Sequence, residues 1–356
     1  MLLAIGSNGR GQLSLGHDED TYIPSPCVVP DNFPTTAPKA IVAGGNHTLV
    51  LFPDGRLFAV GSNEFGQCGI AGDDSSKLFM SFQEVKLPDD DGGSGWNHVA
   101  AGWEVSTLVS ASGKVYSCGR GTRGELGLGP ERHVSHQLAQ IKGLPELQVV
   151  SVSSGMAHNV IVYQTGEVIG WGVGRKGQLG SPSTKMVWIP QPVKVGIKAA
   201  KVICGREFSF LITADGEKHE VLGGEKYGIS VSSPPQGSLL GWKDLGASWG
   251  GINVLLSDGT IMAWGRNDKG QLPPTDLRGV ERMAIGSEHG VALTRLHDDE
   301  ASRAVAWGWG EHGNCGRNEE EGGDVIGEVF VVDIRRAGRL EMVGAGCATS
   351  WFWVQE

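Results

Sequence analysis

Residues 6–13 read GSNGRGQL, and this pattern, a glycine followed five residues later by a second glycine, occurs seven times along the 356-residue chain. The first glycines of neighbouring copies are 42 to 58 residues apart, the extremes being 223 to 265 and 61 to 119. Self-similarity at such a period indicates a propeller or a solenoid, because one unit alone cannot bury its apolar face. The first glycines, called repeat glycines below, are Gly6, Gly61, Gly119, Gly172, Gly223, Gly265 and Gly308.

A second pattern precedes most copies of the first and predicts the strands of each unit. Residues 42–61, VAGGNHTLVLFPDGRLFAVG, contain two β-rich runs separated by a turn at Pro53-Asp54-Gly55. Residues 248–265 have the same arrangement around an Asp-Gly pair. Asp-Gly between two such runs is a strong hairpin signal. Each unit therefore forms a small antiparallel sheet, one blade of an all-β propeller.

The two ends of the chain each carry part of one repeat. Residues 342–354 (MVGAGCATSWFWV) form a first half, and residues 2–16 (LLAIGSNGRGQLSLG) begin in a second half. We therefore predict a single domain over residues 1–356, a seven-bladed β-propeller closed by pairing of the N- and C-terminal strands. Such closure removes the open sheet edges that an all-β chain must otherwise protect. The fifth copy has Ile-Ser in place of Gln-Leu and is followed by SSPPQG at 232–237, so we expect blade five to be irregular.

Composition and cysteine usage favour a protein of the cytoplasm, with the nucleus as a second compartment. The 56 glycines are about twice the average share and suit repeated turns with positive φ. The sequence shows no signal peptide and no transmembrane span, so no membrane association is expected. No CxxC pair occurs, and buried free thiols are expected. The six cysteines are Cys27, Cys68, Cys118, Cys204, Cys315 and Cys347.

The net charge of −10 argues against direct binding to DNA, which needs a basic surface. Acidic clusters lie at 17–20, 89–91, 297–300 and 319–321, in segments expected to connect blades. Such runs are usually solvated surface. The first cluster, HDED, lacks the alternating oxygen donors and central glycine of a calcium-binding loop. We therefore predict no metal site and no cofactor.

Histidines at one repeat position suggest packing between blades instead of catalysis. His47, His158 and His289 each stand three residues after a glycine of the second pattern. A residue that recurs at one repeat position is expected to hold neighbouring blades by hydrogen bonds. No nucleophile elbow, phosphate-binding loop or HExxH pair occurs in the sequence. We predict that the protein is not an enzyme and has no catalytic residues.

The eleven tryptophans divide into two groups by position. Trp171, Trp264 and Trp307 directly precede a repeat glycine and are expected to pack within the blades. A second set falls at or near turns, where a large ring is harder to bury. Aromatic residues on loops at one face are typical anchors of protein interfaces, although filling of gaps between blades is an equal alternative for each. This second set comprises Trp103, Trp249 and Trp309.

The repeat resembles that of the regulator-of-chromosome-condensation family, whose seven-bladed propellers carry a G-x-N-x-x-G-Q-L-G pattern. Several stretches are also similar, in order along the chain, to the fungal alpha-tubulin suppressor or killer-toxin-insensitivity group of that family. The most distinctive stretch is WGWGEHGNCG at 307–316. The resemblance implies a non-enzymatic heterodimer with the small CSL-type zinc protein of diphthamide synthesis. It further implies an indirect link to the Elongator complex, which modifies wobble uridines of transfer RNA, and to diphthamide formation on elongation factor two.

The predicted partner surface is one face of the propeller, built from the loops that follow the repeat glycines. Tryptophans would anchor the partner there, and charged side chains around them would give specificity. Two alternatives remain open: nucleotide exchange on a Ran-like GTPase, and a general scaffold for tubulin or trafficking proteins. The predicted partner-binding residues are Trp103, Glu104, Arg206, Glu207, Trp249, Glu288, His289, Trp309, Glu311 and His312.

Overall fold

Seven antiparallel sheets form a closed ring, which confirms the predicted all-β, seven-bladed propeller. The structure is a computed structural model, and it describes residues 1–72, 77–295, 302–317, 323–334 and 338–355. The acidic clusters predicted at 297–300 and 319–321 lie outside these residues. Across the described ranges, no helix has the length and apolar character needed to cross a membrane.

Blades are numbered in chain order, and every strand pairs with its neighbours in an antiparallel ladder. Blade 1 consists of β1 (Leu2–Gly6), β2 (Thr21–Pro26), β25 (Arg339–Ala345) and β26 (Thr349–Gln355). Blade 2 consists of β3 (Ala40–Ala43), β4 (His47–Leu51), β5 (Leu57–Ser62) and β6 (Leu78–Glu84). Blade 3 consists of β7 (Trp96–Ala101), β8 (Val105–Ser110), β9 (Val115–Arg120) and β10 (Val134–Gln140).

In each blade the innermost strand, called its first strand, lines the central channel; in blade 1 the order from the channel outwards is β25, β26, β1 and β2. Blade 4 consists of β11 (Val149–Ser154), β12 (His158–Tyr163), β13 (Val168–Val173) and β14 (Met186–Pro192). Blade 5 consists of β15 (Lys201–Cys204), β16 (Phe208–Ile212) and β17 (His219–Gly223). Blade 6 consists of β18 (Trp242–Ala247), β19 (Gly251–Leu256) and β20 (Ile261–Gly265). Blade 7 consists of β21 (Val280–Ile285), β22 (His289–Thr294), β23 (Arg303–Gly308) and β24 (Val325–Val331).

The two chain ends pair within blade 1, as the halves of the repeat predict. Strand β1 runs antiparallel to β26, with Leu2 opposite Trp353 and Gly6 opposite Thr349. The ammonium group of Met1 also donates a hydrogen bond to the carbonyl of Val354 at 2.5 Å. The ring is therefore closed by non-covalent contacts between segments that are far apart in the chain.

Each repeat glycine is the last or the last but one residue of the third strand of its blade and has a positive φ, between 73° and 115°. At Gly172, φ is 97° and a Cβ atom would lie 2.5 Å from the carbonyl oxygen of Ala157. Because that space is empty, the amide of Val173 reaches the same oxygen at 2.8 Å. Glycine is thus required here by both the backbone conformation and the close approach of a carbonyl group.

In every copy except the fifth, the second glycine lets the loop approach the next blade. At Gly124 in blade 3, a Cβ atom would lie 2.6 Å from the carbonyl oxygen of Val187 on β14, the outermost strand of blade 4. The following glutamine side chain folds back onto its own loop, as when Gln178 Oε1 accepts from the amide of Lys176 at 2.8 Å. The G-x-x-x-x-G-Q signal therefore describes one compact loop between third and fourth strands.

Blades 5 and 6 each contain three strands, whereas the other blades contain four. The irregularity of blade 5 was predicted. No fourth strand pairs with β17 in the described residues; Gln236 lies beside it instead, and its side-chain amide exchanges hydrogen bonds with the backbone of His219 at 2.9 and 3.0 Å. The shortened blade 6 was not predicted. Its repeat glycine is followed by Pro273 and Pro274, which have no amide hydrogen and so cannot donate to a fourth strand.

Buried polar side chains hold neighbouring blades together, as predicted for the recurring histidines. His47 Nε2 lies 2.9 Å from Ser106 Oγ, and the same bond links blade 4 to blade 5 and blade 7 to blade 1. The tryptophans predicted to pack within blades are also buried, and Trp171 Nε1 donates to the carbonyl of Glu125 in the preceding blade at 2.9 Å. The apolar core lies between the blades, in clusters that join residues of adjacent sheets.

Candidate partner-binding face

Two sets of loops share one end of the ring, and all ten predicted partner-binding residues lie in or next to them. The first set joins the first and second strands of each blade and is three residues long in every blade, as at 102–104 and 248–250. The second set follows the repeat glycines. Because strands alternate in direction, both sets lie at the same end, which we call the AB/CD face.

The middle residues of the three-residue loops surround the mouth of the central channel, whose cavity is about 300 Å³. Backbone hydrogen bonds connect one loop to the next: the amide of Arg206 donates to the carbonyl of Trp249 at 3.1 Å, and the amide of Trp249 donates to that of Ser287 at 2.8 Å. This network fixes the rim. The middle residues are Gly45, Trp103, Met156, Arg206, Trp249, Ser287 and Cys347.

Trp103 and Trp249 are brought together across the channel mouth, although they belong to blades 3 and 6. Their ring centroids are 5.9 Å apart with planes inclined by 48°, and Trp103 is 39% exposed. The guanidinium of Arg206 lies 5.8 Å from the Trp249 ring, within the range of a cation–π interaction. An aromatic pair with one exposed and one half-buried ring beside a cation is a surface that favours apolar and π-bearing partner groups.

The predicted carboxylates beside this pair are already engaged by arginines. Glu104 forms a two-point contact with Arg120, with distances of 2.8 and 2.9 Å. Glu207 lies 3.8 Å from Arg175. Both ion pairs are partly exposed, so each stabilises the fold by less than about 1 kcal/mol. They are consequently available to exchange partners when another charged surface approaches.

A second group of predicted residues lies on the loop after the repeat glycine of blade 7. Trp309 and His312 are in edge contact, with ring centroids 5.3 Å apart. Trp309 Nε1 donates to Glu311 at 3.2 Å, and His312 Nδ1 lies 2.7 Å from a carboxylate oxygen of Asp20 in blade 1. The loops of blades 7 and 1 are thus joined at the surface, and the half-buried indole of Trp309 faces their junction.

Glu288 and His289 are placed beneath the face. Glu288 is 8% exposed and pairs with Arg266, while also accepting from Gln271 at 2.8 Å. His289 is 0% exposed and is bonded to Ser350 at 2.9 Å, so a partner could not touch its side chain without opening the loop. Burial lowers the pKa of His289 to about 4, which keeps the ring neutral near pH 7. Both residues support the face from within.

Sequence reasoning missed Lys226 and Tyr227, because their copy of the repeat, GGEKYGIS, departs from the common pattern. A signal was present: the residue before the second glycine is cationic or aromatic in all seven copies. In the structure this position is exposed or half-buried on the AB/CD face. The seven residues are Arg10, Phe65, Arg123, Lys176, Tyr227, Lys269 and His312.

The face offers binding groups, and its described part does not offer a metal site. Within the described ranges, no group of three or more histidine, cysteine, aspartate or glutamate side chains could hold a metal ion. Four cysteines are buried, and burial raises the pKa of thiols such as Cys68 and Cys118, which lowers their reactivity. The side chains that remain accessible are aromatic rings, ion-paired charges such as Glu104 and Arg120, and cations such as Lys226 that have no carboxylate partner among the described residues.

The chain is similar over nearly its whole length to proteins with a known propeller fold. The family model for the RCC1-like domain matches residues 1–352. An RCC1 repeat-containing protein of Schizosaccharomyces pombe is 33% identical over 369 residues, which cover 100% of this chain and 99% of the relative. The mouse secretion-regulating guanine nucleotide exchange factor is 29% identical, covering 90% of this chain and 76% of the relative. The crystal structure of human WBSCR16 has the same fold, with a TM-score of 0.80, 17% identity and full coverage of both chains.

Proposed function

Because the chain belongs to the RCC1-like domain family, we propose that it is a non-catalytic propeller that binds a protein partner through its AB/CD face. One propeller fold hosts many roles, so the function of a member depends on the surface it presents and not on the fold. The surface in question combines exposed aromatic rings with charges on a rigid rim. Such a surface is suited to a stable complex with one partner.

The observation that carries this proposal is the contact between Trp103 and Trp249. Their loops are held by backbone hydrogen bonds to neighbouring loops, so the rings are positioned before a partner arrives. Preorganised aromatic anchors at the centre of an interface commonly provide much of the binding free energy. Glu104, Arg206 and Glu207 surround the pair and would select the partner by charge.

The partner we propose is the small CSL-type zinc protein of diphthamide synthesis, bound as a heterodimer. Support comes from the similarity of residues 307–316 and other stretches to the fungal killer-toxin-insensitivity proteins. Through this partner the chain would act in diphthamide formation on elongation factor two and, with the Elongator complex, in modification of wobble uridines. The cytoplasm is the compartment we propose for it, with the nucleus as a second location.

The test is a calorimetric titration of the full chain with the zinc-loaded CSL-type protein of the same organism. We expect one-to-one binding, weakened about tenfold or more by Trp103→Ala and by Trp249→Ala, which is about 1.4 kcal/mol. Trp242→Ala is the matched control, because the Trp242 indole lies near the opposite end of the ring and donates to Thr213 at 3.0 Å. Absence of binding at tens of micromolar would refute the proposed partner. Unchanged affinity in both tryptophan variants would refute the AB/CD face as the binding surface.

Nucleotide exchange on a Ran-like small GTPase is the second candidate. It is favoured by the similarity to the mouse secretion-regulating guanine nucleotide exchange factor. Carboxylates on the AB/CD face, such as Glu104 and Glu311, would supply the polar groups that such an activity needs. Accelerated release of labelled GDP from the GTPase in the presence of the chain would support this candidate, and an unchanged release rate would refute it.

A further inference from the structure

A small pocket opens on the AB/CD face between blades 5 and 6, next to the tryptophan pair. Its volume is about 70 Å³, and the buried side chains Phe208 and Ile229 contribute to its lining. Trp249 and Tyr227 also line it, together with three cations. The pocket therefore joins an apolar lining to a positively charged rim, a combination that suits a ligand with both apolar and anionic groups.

The rim has an excess of positive charge. Lys176, Arg206 and Lys226 line the pocket, and in the described part of the chain none of them forms an ion pair with a carboxylate. Two carboxylates also line it, but Glu207 is paired with Arg175. Among the described residues, three cations without a carboxylate partner and the single carboxylate of Glu225 leave an excess of two positive charges, within a chain whose net charge is −10.

Tyr227 stands out in this pocket because its backbone is in the left-handed region, with φ 65° and ψ 15°. An aromatic residue rarely adopts this conformation, which carries a strain of about 1–3 kcal/mol. Its ring is nevertheless 41% exposed and lies beneath two cations, with Lys226 at 4.8 Å and Arg266 at 5.3 Å from the ring centroid. A glycine or asparagine would fit the turn better, so the exposed ring points to a role in binding.

We infer that this pocket binds an acidic polypeptide segment, in which an apolar side chain enters between Trp249 and Tyr227 and flanking carboxylates contact Lys176, Arg206 and Lys226. The inference deepens the proposed function, since it names the chemistry that this face selects in its partner. Charge complementarity supports it, because cations without carboxylate partners are held beside an apolar cavity. A nucleic acid is disfavoured as occupant, because three cations form a smaller basic surface than its phosphate backbone requires, whereas they can match the few carboxylates of a short peptide.

The experiment uses the full chain and a peptide probe, acetyl-Glu-Asp-Leu-Asp-Glu-amide, with acetyl-Gln-Asn-Leu-Asn-Gln-amide as its neutral twin. Binding is followed by tryptophan fluorescence and by calorimetry at low ionic strength. We expect the acidic peptide to bind at least about tenfold more tightly than its twin. Arg206→Glu and Lys226→Glu are each expected to remove most of that preference. Lys185→Glu reverses an exposed cation in the same blade 4 loop as Lys176 but outside the pocket lining, so it is the matched control and should preserve the preference.

Tyr227→Asn separates a binding role from a structural one. Asparagine tolerates the left-handed backbone, so the melting temperature should stay the same or rise, while affinity for the acidic peptide falls about tenfold. A lowered melting temperature with unchanged peptide affinity would show that Tyr227 serves only the fold and would overturn its place in the site.

The outcomes separate this inference from the proposed partner. If the wild-type chain shows no preference for the acidic peptide at millimolar concentration, the inference is overturned, whatever the CSL-type protein does. If the peptide binds as expected and the CSL-type protein does not, the pocket stands and the proposed partner is wrong. If Lys185→Glu lowers the peptide affinity as much as Arg206→Glu and Lys226→Glu do, the loss comes from the change in net charge and not from the pocket. That result would also overturn the inference.

Discussion

Mild acid should weaken the propeller through the histidines that join its blades. His47, His158 and His289 are fully or almost fully buried, and each Nε2 faces a serine hydroxyl of the next blade. In each case that hydroxyl donates to a backbone carbonyl, so the histidine must be the donor to the serine. The Nδ1 atoms have no hydrogen-bond partner among the described residues, so a proton added there would be a buried donor without an acceptor.

The size of the effect follows from the pKa values. Burial lowers the pKa of each of the three rings from 6.5 to about 4. Since the folded pKa lies below the unfolded one, the unfolded state binds more protons between these values, and stability is lost as the pH falls through this range. Between pH 7 and pH 5 the loss is about 2 kcal/mol for each histidine and about 6 kcal/mol for all three.

The assay is urea unfolding at pH 7 and pH 5, for the wild-type chain and for single His→Gln variants at the three positions. Each variant should lose about 2 kcal/mol less than the wild type between the two pH values, because glutamine does not titrate. The carboxylates also change the free energy of unfolding between the two pH values, but they are the same in the wild type and the variants. Their contribution therefore cancels when the losses are compared. His136→Gln, at an exposed position of β10, is the control and should behave as the wild type. Equal losses in the wild type and the three variants would refute the reasoning.

Three further predictions concern the repeat, the closure and the thiols. Gly172→Ala should cost about 1–3 kcal/mol more in urea unfolding than Gly129→Ala, because φ is 97° and 99° at the two sites but only the first would bring a Cβ atom against a carbonyl. Equal costs would contradict the crowding argument. Deletion of residues 343–356 should abolish cooperative thermal unfolding, since it removes the strand that pairs with β1; an unchanged melting temperature would contradict closure. Cys68 and Cys315 should react with a thiol reagent only as fast as the chain unfolds, because both are buried and burial raises their pKa; rapid labelling of the folded chain would contradict their burial.

Much of the candidate face could be predicted from the sequence, because loop position follows from strand alternation. Trp103, Trp249 and Trp309 stand near predicted turns in the sequence, and all three lie on the AB/CD face. Burial could not be predicted in the same way. Glu288 and His289 occupy a loop and the start of a strand, yet they lie inward, because their partners Arg266 and Ser350 come from other blades.

The sequence by itself determined the repeat, the number of blades and the closure of the ring. These features follow from local requirements: a positive φ at each repeat glycine, a turn between two β-rich runs, and half a repeat at each end. Because each requirement recurs at the same place in every repeat, a copy that departs from it is visible in the sequence. The irregular fifth blade was predictable for this reason.

Only the tertiary structure decided which side chains meet. Trp103 and Trp249 are 146 residues apart in sequence (from 103 to 249) and touch because the ring brings blades 3 and 6 across the channel mouth. The charged pocket beside them collects Lys176, Arg206 and Tyr227 from loops of two blades. The physical reason is that such contacts depend on the curvature of the ring and the direction of each side chain, which are set by packing between blades and not by any one repeat.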